Sequence, residues 1–219
     1  MFEKKVKKRI EVIADPGSCH LGSKDLAKQL IKAASDSGAD AIKFQLFKNK
    51  PPNIALDYDY FPELVEVADD HDIEIFASVW DREGIDLLND CGCKKVKFAF
   101  GSNDIHLFHC AAQKLKIYQS GDVNTTFYPG AVKLFCIPEY PVQFVVAWED
   151  IFSRHDGLSD HTLGFTQTMN ALNAGAEIVE KHIKLDGFFV PDDNFALTPK
   201  EFEQMVKGIQ KYEDINYRQ

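Results

Sequence analysis

Two histidines end two successive strand-like runs, in Leu158-Ser159-Asp160-His161-Thr162 and Ile178-Val179-Glu180-Lys181-His182. Imidazoles on neighbouring strand ends can hold one divalent cation and leave positions open for water and substrate, as reactive rather than structural sites do. Each has an acidic neighbour, Asp160 or Glu180, of the type that orients a metal-bound ring. Two lysines, Lys43 and Lys97, stand in otherwise apolar runs. Burying an ammonium there needs an anion, either a ligand phosphate or carboxylate or a structural carboxylate such as Asp15. A Lewis-acid pair beside an anion site reads as an enzyme. His20, in Cys19-His20-Leu21-Gly22, is a candidate third ligand or substrate contact, whereas His71, His106, His109 and His155 read as surface or packing residues.

The elements that must hold these groups recur in a regular order. Apolar, β-branched runs at 9–14, 41–45, 74–78, 95–98, 116–118, 132–137, 157–159 and 178–181 read as strands. Segments with apolar residues at helical spacing follow at 23–37, 61–71, 81–89, 103–113, 147–154, 166–173 and 199–212. Ser23 is placed to cap the first helix, Leu26, Leu30, Ile31 and Ala34 make its inward stripe, and Gly38 stops it. The fifth unit lacks a helix, because 121–130 is short and polar. Eight strands joined by crossovers imply a parallel sheet closed into a compact (β/α)8 TIM barrel, an α/β fold with trimmed helices. An open doubly wound sheet is disfavoured, since no G-x-G-x-x-G turn follows the first strand.

The 219 residues, 45% hydrophobic and 27% charged, suit one domain spanning residues 1–219. A net charge of −9 argues against nucleic acid as a partner, and the only basic cluster, Lys4, Lys5, Lys7, Lys8 and Arg9, reads as a solvated lead-in. No apolar run approaches the ~20 residues of a membrane span, and no signal peptide is evident, so a cytoplasmic protein without a membrane partner is expected. Cys19, Cys91, Cys93, Cys110 and Cys136 are odd in number and scattered, which suits free thiols. Cys91-Gly92-Cys93 has no second ligand pair nearby.

In a parallel barrel the reactive groups gather at the strand C-termini. Position therefore selects Asp15 and His20, Lys43 and Gln45, Ser78, Lys97, Ser120, Glu139 and Tyr140, Ser159 and His161, Lys181 and His182. Several of these lie in longer motifs: Ile13-Ala14-Asp15-Pro16-Gly17-Ser18-Cys19-His20-Leu21-Gly22, Gly38-Ala39-Asp40-Ala41-Ile42-Lys43-Phe44-Gln45, Glu139-Tyr140-Pro141, and Gly157-Leu158-Ser159-Asp160-His161-Thr162-Leu163-Gly164. They continue through Gly175-Ala176-Glu177-Ile178-Val179-Glu180-Lys181-His182 and Phe195-Ala196-Leu197-Thr198-Pro199-Lys200-Glu201-Phe202. The set resembles the N-acetylneuraminate (sialic acid) synthase family over nearly the whole chain. That resemblance implies condensation of phosphoenolpyruvate with an open-chain N-acetylated amino sugar to a nine-carbon 2-keto acid. It implies a divalent metal, Mn²⁺ or Mg²⁺, on His161 and His182. It also implies a catalytic role for Asp15, sugar-side or catalytic roles for Tyr140 and Asp192, and phosphoenolpyruvate contacts from Lys43, Lys97 and Ser159; by their place at the strand ends, His20, Gln45, Ser120, Glu139 and Lys181 are expected as further substrate contacts.

The sequence departs from that family in places. Asp15 stands for a glutamate and Cys19 for an amide; a base displaced by a methylene can lose much of its effect. Val79, Phe100 and Gln119 stand where hydroxyls are expected, with Ser120 a substitute, which predicts a smaller, drier pocket. Phe100-Gly101-Ser102 lacks a carboxylate expected near the sugar, Pro138 replaces an asparagine, and a barrel without the family's C-terminal antifreeze-like domain is expected. A homodimer, or a separate chain supplying that domain, is one expectation from these departures. A metal-dependent aldolase or lyase on a related sugar or keto acid, and a decayed sugar- or metal-binding barrel, are others.

Overall fold

The structure, a computed structural model, describes residues 9–48, 53–143, 148 and 150–217. Its strands and helices run β1 (Glu11–Asp15), α1 (Lys24–Asp36), β2 (Ala41–Leu46), α2 (Phe61–Asp70), β3 (Glu74–Val79), α3 (Arg82–Asp90), β4 (Lys95–Phe98) and α4 (Ile105–Ala111). They continue as β5 (Lys116–Gly121), β6 (Val132–Cys136), β7 (Gly157–Asp160), α5 (Thr166–Asn173), β8 (Ile178–His182) and α6 (Pro199–Tyr217). All eight strands pair in parallel in chain order, and β8 returns to β1 with Asp15 beside His182, which closes the barrel.

Local chemistry explains the element ends. Ser23 accepts from the Leu26 N–H and starts α1, whose buried stripe is Ala27, Leu30, Ile31 and Ala34, with Leu26 only half-buried. Gly38 follows with φ +85°, a conformation that L side chains resist. Asp81 caps α3 through the Gly84 N–H. The helix expected at 103–113 begins only at Ile105, because Asp104 caps it and leaves 101–104 as a loop. The helix expected over 147–154 is a single 3-10 turn, Ile151–Ser153, residues 147 and 149 lying outside the described set. No helix joins β5 to β6, as expected. Among the described residues no helix is long and apolar enough to cross a membrane.

Alternation along the strands stacks the barrel interior in layers. At the N-terminal end Lys95 pairs with Glu11 at 2.7 Å and Glu74 at 2.5 Å, and the Tyr118 hydroxyl donates to Glu11 at 2.8 Å. Above them Ile13, Ala41, Phe76, Tyr118, Leu134 and Ile178 form an apolar plug. A Cβ at Gly157 would lie 2.3 Å from the Ile178 carbonyl oxygen, so only glycine lets β7 approach β8 there. The next inward residues, Lys43, Ser78, Lys97, Ser120, Ser159 and Glu180, form the floor of a cavity at the C-terminal mouth.

Candidate active site

That cavity encloses about 480 Å³. On its floor the Lys43 ammonium lies 2.6 Å from the Asp15 carboxylate and donates to Ser78 at 3.2 Å. Lys97 donates to both oxygens of Glu180, at 3.1 and 3.3 Å, and Ser159 donates to the same carboxylate at 2.8 Å. Lys43 stands 3.9 Å from Glu180, so two ammoniums and two carboxylates form one buried, charge-balanced cage. Burial opposes charge on Asp15, but Lys43 and then His182 outweigh it and hold the carboxyl below its usual range. Burial likewise opposes charge on Glu180, and Lys43 with Lys97 reverses the effect. For Lys43 burial is overcome by Asp15 and Glu180, so the ammonium is held more firmly than an ordinary lysine.

The two histidines stand at the rim with ring centroids 5.4 Å apart. His161 Nδ1 lies 3.0 Å from the Ile137 carbonyl oxygen; an N–H donated there leaves Nε2 with the lone pair a metal needs. Burial, and next the neighbouring His182, push His161 down to about 4, so it is a neutral ring. His182 lies between Asp15 at 3.5 Å (Nε2) and Asp192 at 3.4 Å (Nδ1), and its buried Nδ1 has no hydrogen-bond partner. Burial works against its charge, but Asp15 and Asp192 overcome that and raise its pKa. A neutral ring with one nitrogen tied back, beside a ring with an unsatisfied buried nitrogen between two carboxylates, fits a divalent cation that draws its remaining ligands from water and substrate. Among the described residues no group of three or more His, Cys, Asp or Glu stands ready to hold a metal.

Of the residues selected from sequence, the cavity brings together Asp15, Lys43, Gln45, Ser78, Lys97, Ser120, Tyr140, Ser159, His161, His182 and Asp192. His20, Glu139 and Lys181 do not line it. His20 is fully buried and accepts from the Gly22 N–H through Nδ1, which turns it into its own loop. Glu139 lies beyond the end of β6 and is exposed, whereas Tyr140 turns its ring over His161 at 4.3 Å. Lys181 is one position out of phase with Glu180 and His182, so it points into the helix layer. Strand phase also corrects the expected orienting partners. Asp160 faces away from the cavity and Glu180 serves the lysines, while His161 is tied by a backbone carbonyl.

The same phase corrects the expectation of a drier pocket. Val79 packs in the outer core and Gln119 accepts from the Tyr128 N–H, both outside the cavity, while the inward hydroxyls at those levels are Ser78 and Ser120. Only Phe100 of the three replacements lines the cavity. Sequence reasoning missed Cys136, whose inward position follows from period two after Leu134 and whose Sγ lies 3.9 Å from His161 Nδ1. It also missed Phe195, stacked edge-on to His182 at 4.8 Å, and Trp80 on the cavity wall.

Lys181 instead belongs to a buried support. It donates to the Thr162 carbonyl at 2.6 Å and lies 3.2 Å from Asp160, both side chains being fully buried. Asp160 accepts from the Thr162 N–H and hydroxyl and from Thr168, at 2.8, 2.7 and 2.6 Å. These bonds brace the turn that carries His161. Asp160→Ala strands a buried ammonium and three donors, and is expected to cost about 3–5 kcal/mol in urea unfolding. A loss under 1 kcal/mol would show that the support is dispensable.

Comparison with known proteins gives a consistent result. The NeuB family pattern matches residues 51–126 and 125–218. The chain is 31% identical to an N,N'-diacetyllegionaminic acid synthase of Campylobacter jejuni, covering 93% of this chain and 77% of that protein. It is 29% identical to a protein of the same description from Legionella pneumophila, over 93% of this chain and 72% of that one. A crystal structure of N-acetylneuraminic acid (sialic acid) synthetase from Leptospira borgpetersenii, in complex with citrate, matches with a TM-score of 0.83 at 25% identity, over 95% and 85% of the two chains.

Proposed function

The chain belongs to the NeuB family, and from that premise we propose that it joins phosphoenolpyruvate to the aldehyde of an open-chain N-acetylated amino sugar, giving a nine-carbon 2-keto acid of the sialic or legionaminic type. What supports the reading is one observation: two buried lysines and two rim histidines converge on a single cavity at the strand C-termini. In the reaction, C3 of the enolpyruvate bonds to the aldehyde carbon, water adds at C2, and phosphate leaves with the oxygen it already held. His161 and His182 would hold Mn²⁺ or Mg²⁺, which would supply Lewis-acid activation of the aldehyde.

The chain's own groups do the rest. Lys43 and Lys97 hold the carboxylate and phosphate of the donor, trading part of their contact with Asp15 and Glu180 for the substrate's anions. Ser78, Ser120 and Ser159 offer hydroxyl donors on the same floor. Asp15, ionised beside Lys43, accepts the proton released as water adds at C2. Asp192, which accepts from the Ser18 N–H at 3.1 Å, lies 3.4 Å from His182 Nδ1 and faces the sugar. Tyr140 and Phe195 wall off the histidines from bulk water.

Purified protein with Mn²⁺ and phosphoenolpyruvate is expected to release phosphate only when an N-acetylated amino sugar is added. Pyruvate formed from nine-carbon keto acids, without phosphoenolpyruvate consumption, would point to a lyase instead, and sugar binding without any turnover would reduce the chain to a binding protein. If Asp15 is a shortened version of a longer base, Asp15→Glu retains synthase activity. A dead Asp15→Glu protein, correctly folded, would mean that the cage requires the shorter carboxylate.

A further inference from the structure

One nucleophile in the main cavity has no part in the condensation. Cys136 ends β6 level with Ser159 of β7, and it lines the cavity although only 2% of it is exposed. Its Sγ lies 3.9 Å from His161 Nδ1. Lys97 and Ser120, both buried, line the same space. The Lys97 ammonium favours a thiolate at Cys136. Ser120 Oγ is buried without a hydrogen-bond partner among the described residues, so the floor holds a donor in want of an acceptor. A thiol, an ammonium and an orphaned hydroxyl facing one space make a socket for a carboxylate with a sulfur nucleophile beside it.

We propose that Cys136 is a covalent modification site, selective for small carboxylates that carry a leaving group on the carbon next to the carboxyl. The carboxylate takes the Ser120 hydroxyl and part of the contact that Lys97 makes with Glu180, which sets the neighbouring carbon against Sγ. Sulfur bonds to that carbon, the bond to the leaving group breaks, the leaving group departs with the bonding electrons, and the thiol proton passes to water. The product is an S-carboxyalkyl side chain whose carboxylate stays on the lysine floor. Burial pushes the resting Cys136 thiol up to about 11, against the pull of Lys97, so a reagent with nothing to hold it there meets few thiolates. Selectivity therefore comes from binding. Cys19 is buried away from the cavity, and Cys91, Cys93 and Cys110 are partly exposed outside it, so none of them has this holder. The capture needs only the lysine floor and stands whether or not the chain takes a sugar.

The test treats the full chain in parallel with iodoacetate and iodoacetamide, reagents of similar size that differ in charge, and reads the rate at each cysteine by peptide mass mapping. At Cys136 iodoacetate is expected to react at least ~10-fold faster. At Cys91, Cys93 and Cys110 iodoacetamide is expected to lead, because an ordinary thiolate repels an anionic reagent. Excess inorganic phosphate is expected to slow the iodoacetate reaction at Cys136 and at no other cysteine. In Lys97→Met, checked for folding by circular dichroism, the preference at Cys136 is expected to shrink to within ~3-fold. Iodoacetamide leading at Cys136, no labelling there while other cysteines react, or labelling indifferent to phosphate would each overturn the site. A preference kept by folded Lys97→Met would do the same, and if that variant does not fold, the wild-type rates and the phosphate protection decide.

Discussion

His161→Ala and His182→Ala are each expected to lose at least a hundredfold in Mn²⁺ affinity, while the circular dichroism spectrum shows the fold intact. Loss of an orienting partner of a metal ligand costs ~10–100-fold, and removal of a ligand itself from a site with two protein donors must cost more. The rings are neighbours, with centroids 5.4 Å apart, so neither can be replaced by the other. His20 offers no rescue, because it is buried outside the cavity and engaged by Gly22. Stoichiometric metal retained in both single variants would remove the histidine pair from the account.

Glu180→Ala is expected to destabilise the protein by about 3–5 kcal/mol and to abolish sugar-dependent phosphate release. Glu180 is the carboxylate of the Lys97 pair and takes the Ser159 hydroxyl as well, so its loss leaves a buried ammonium unpaired. An external anion can then substitute for the missing side chain. Inorganic phosphate or phosphoenolpyruvate is therefore expected to raise the unfolding midpoint of Glu180→Ala more than that of the wild type, since a ligand stabilises in proportion to its affinity for the folded state. A variant as stable as wild type, or one that gains nothing from phosphate, would show that Lys97 is not the anion-binding group proposed.

The barrel was legible because boundary signals separate its units: Ser23 as a cap, Gly38 as a stop, and β-branched runs between the helices. The chemistry at the strand ends was legible to within a residue, and that margin decided the errors. Lys181 and Glu180 are adjacent in sequence, yet one braces a turn against α5 and the other closes the lysine cage. Val79 against Ser78, and Gln119 against Ser120, reverse in the same way. Phase in a strand is set by which residues pair across the barrel, such as Gln45 with Ser78 and Ser120 with Leu134, and one strand's composition does not contain it. Groups beyond the strands, such as Glu139, Tyr140 and Phe195, depend on loop paths that no periodicity describes.

The most direct measurement of the condensation is to run it in 18O-labelled water and weigh the phosphate released. Addition of water at C2, with loss of the phosphate already attached to oxygen, predicts unlabelled phosphate formed one-for-one with a nine-carbon keto acid. Labelled phosphate, or phosphate formed without the keto acid, would mean that water attacks phosphorus and that the cavity builds no carbon–carbon bond.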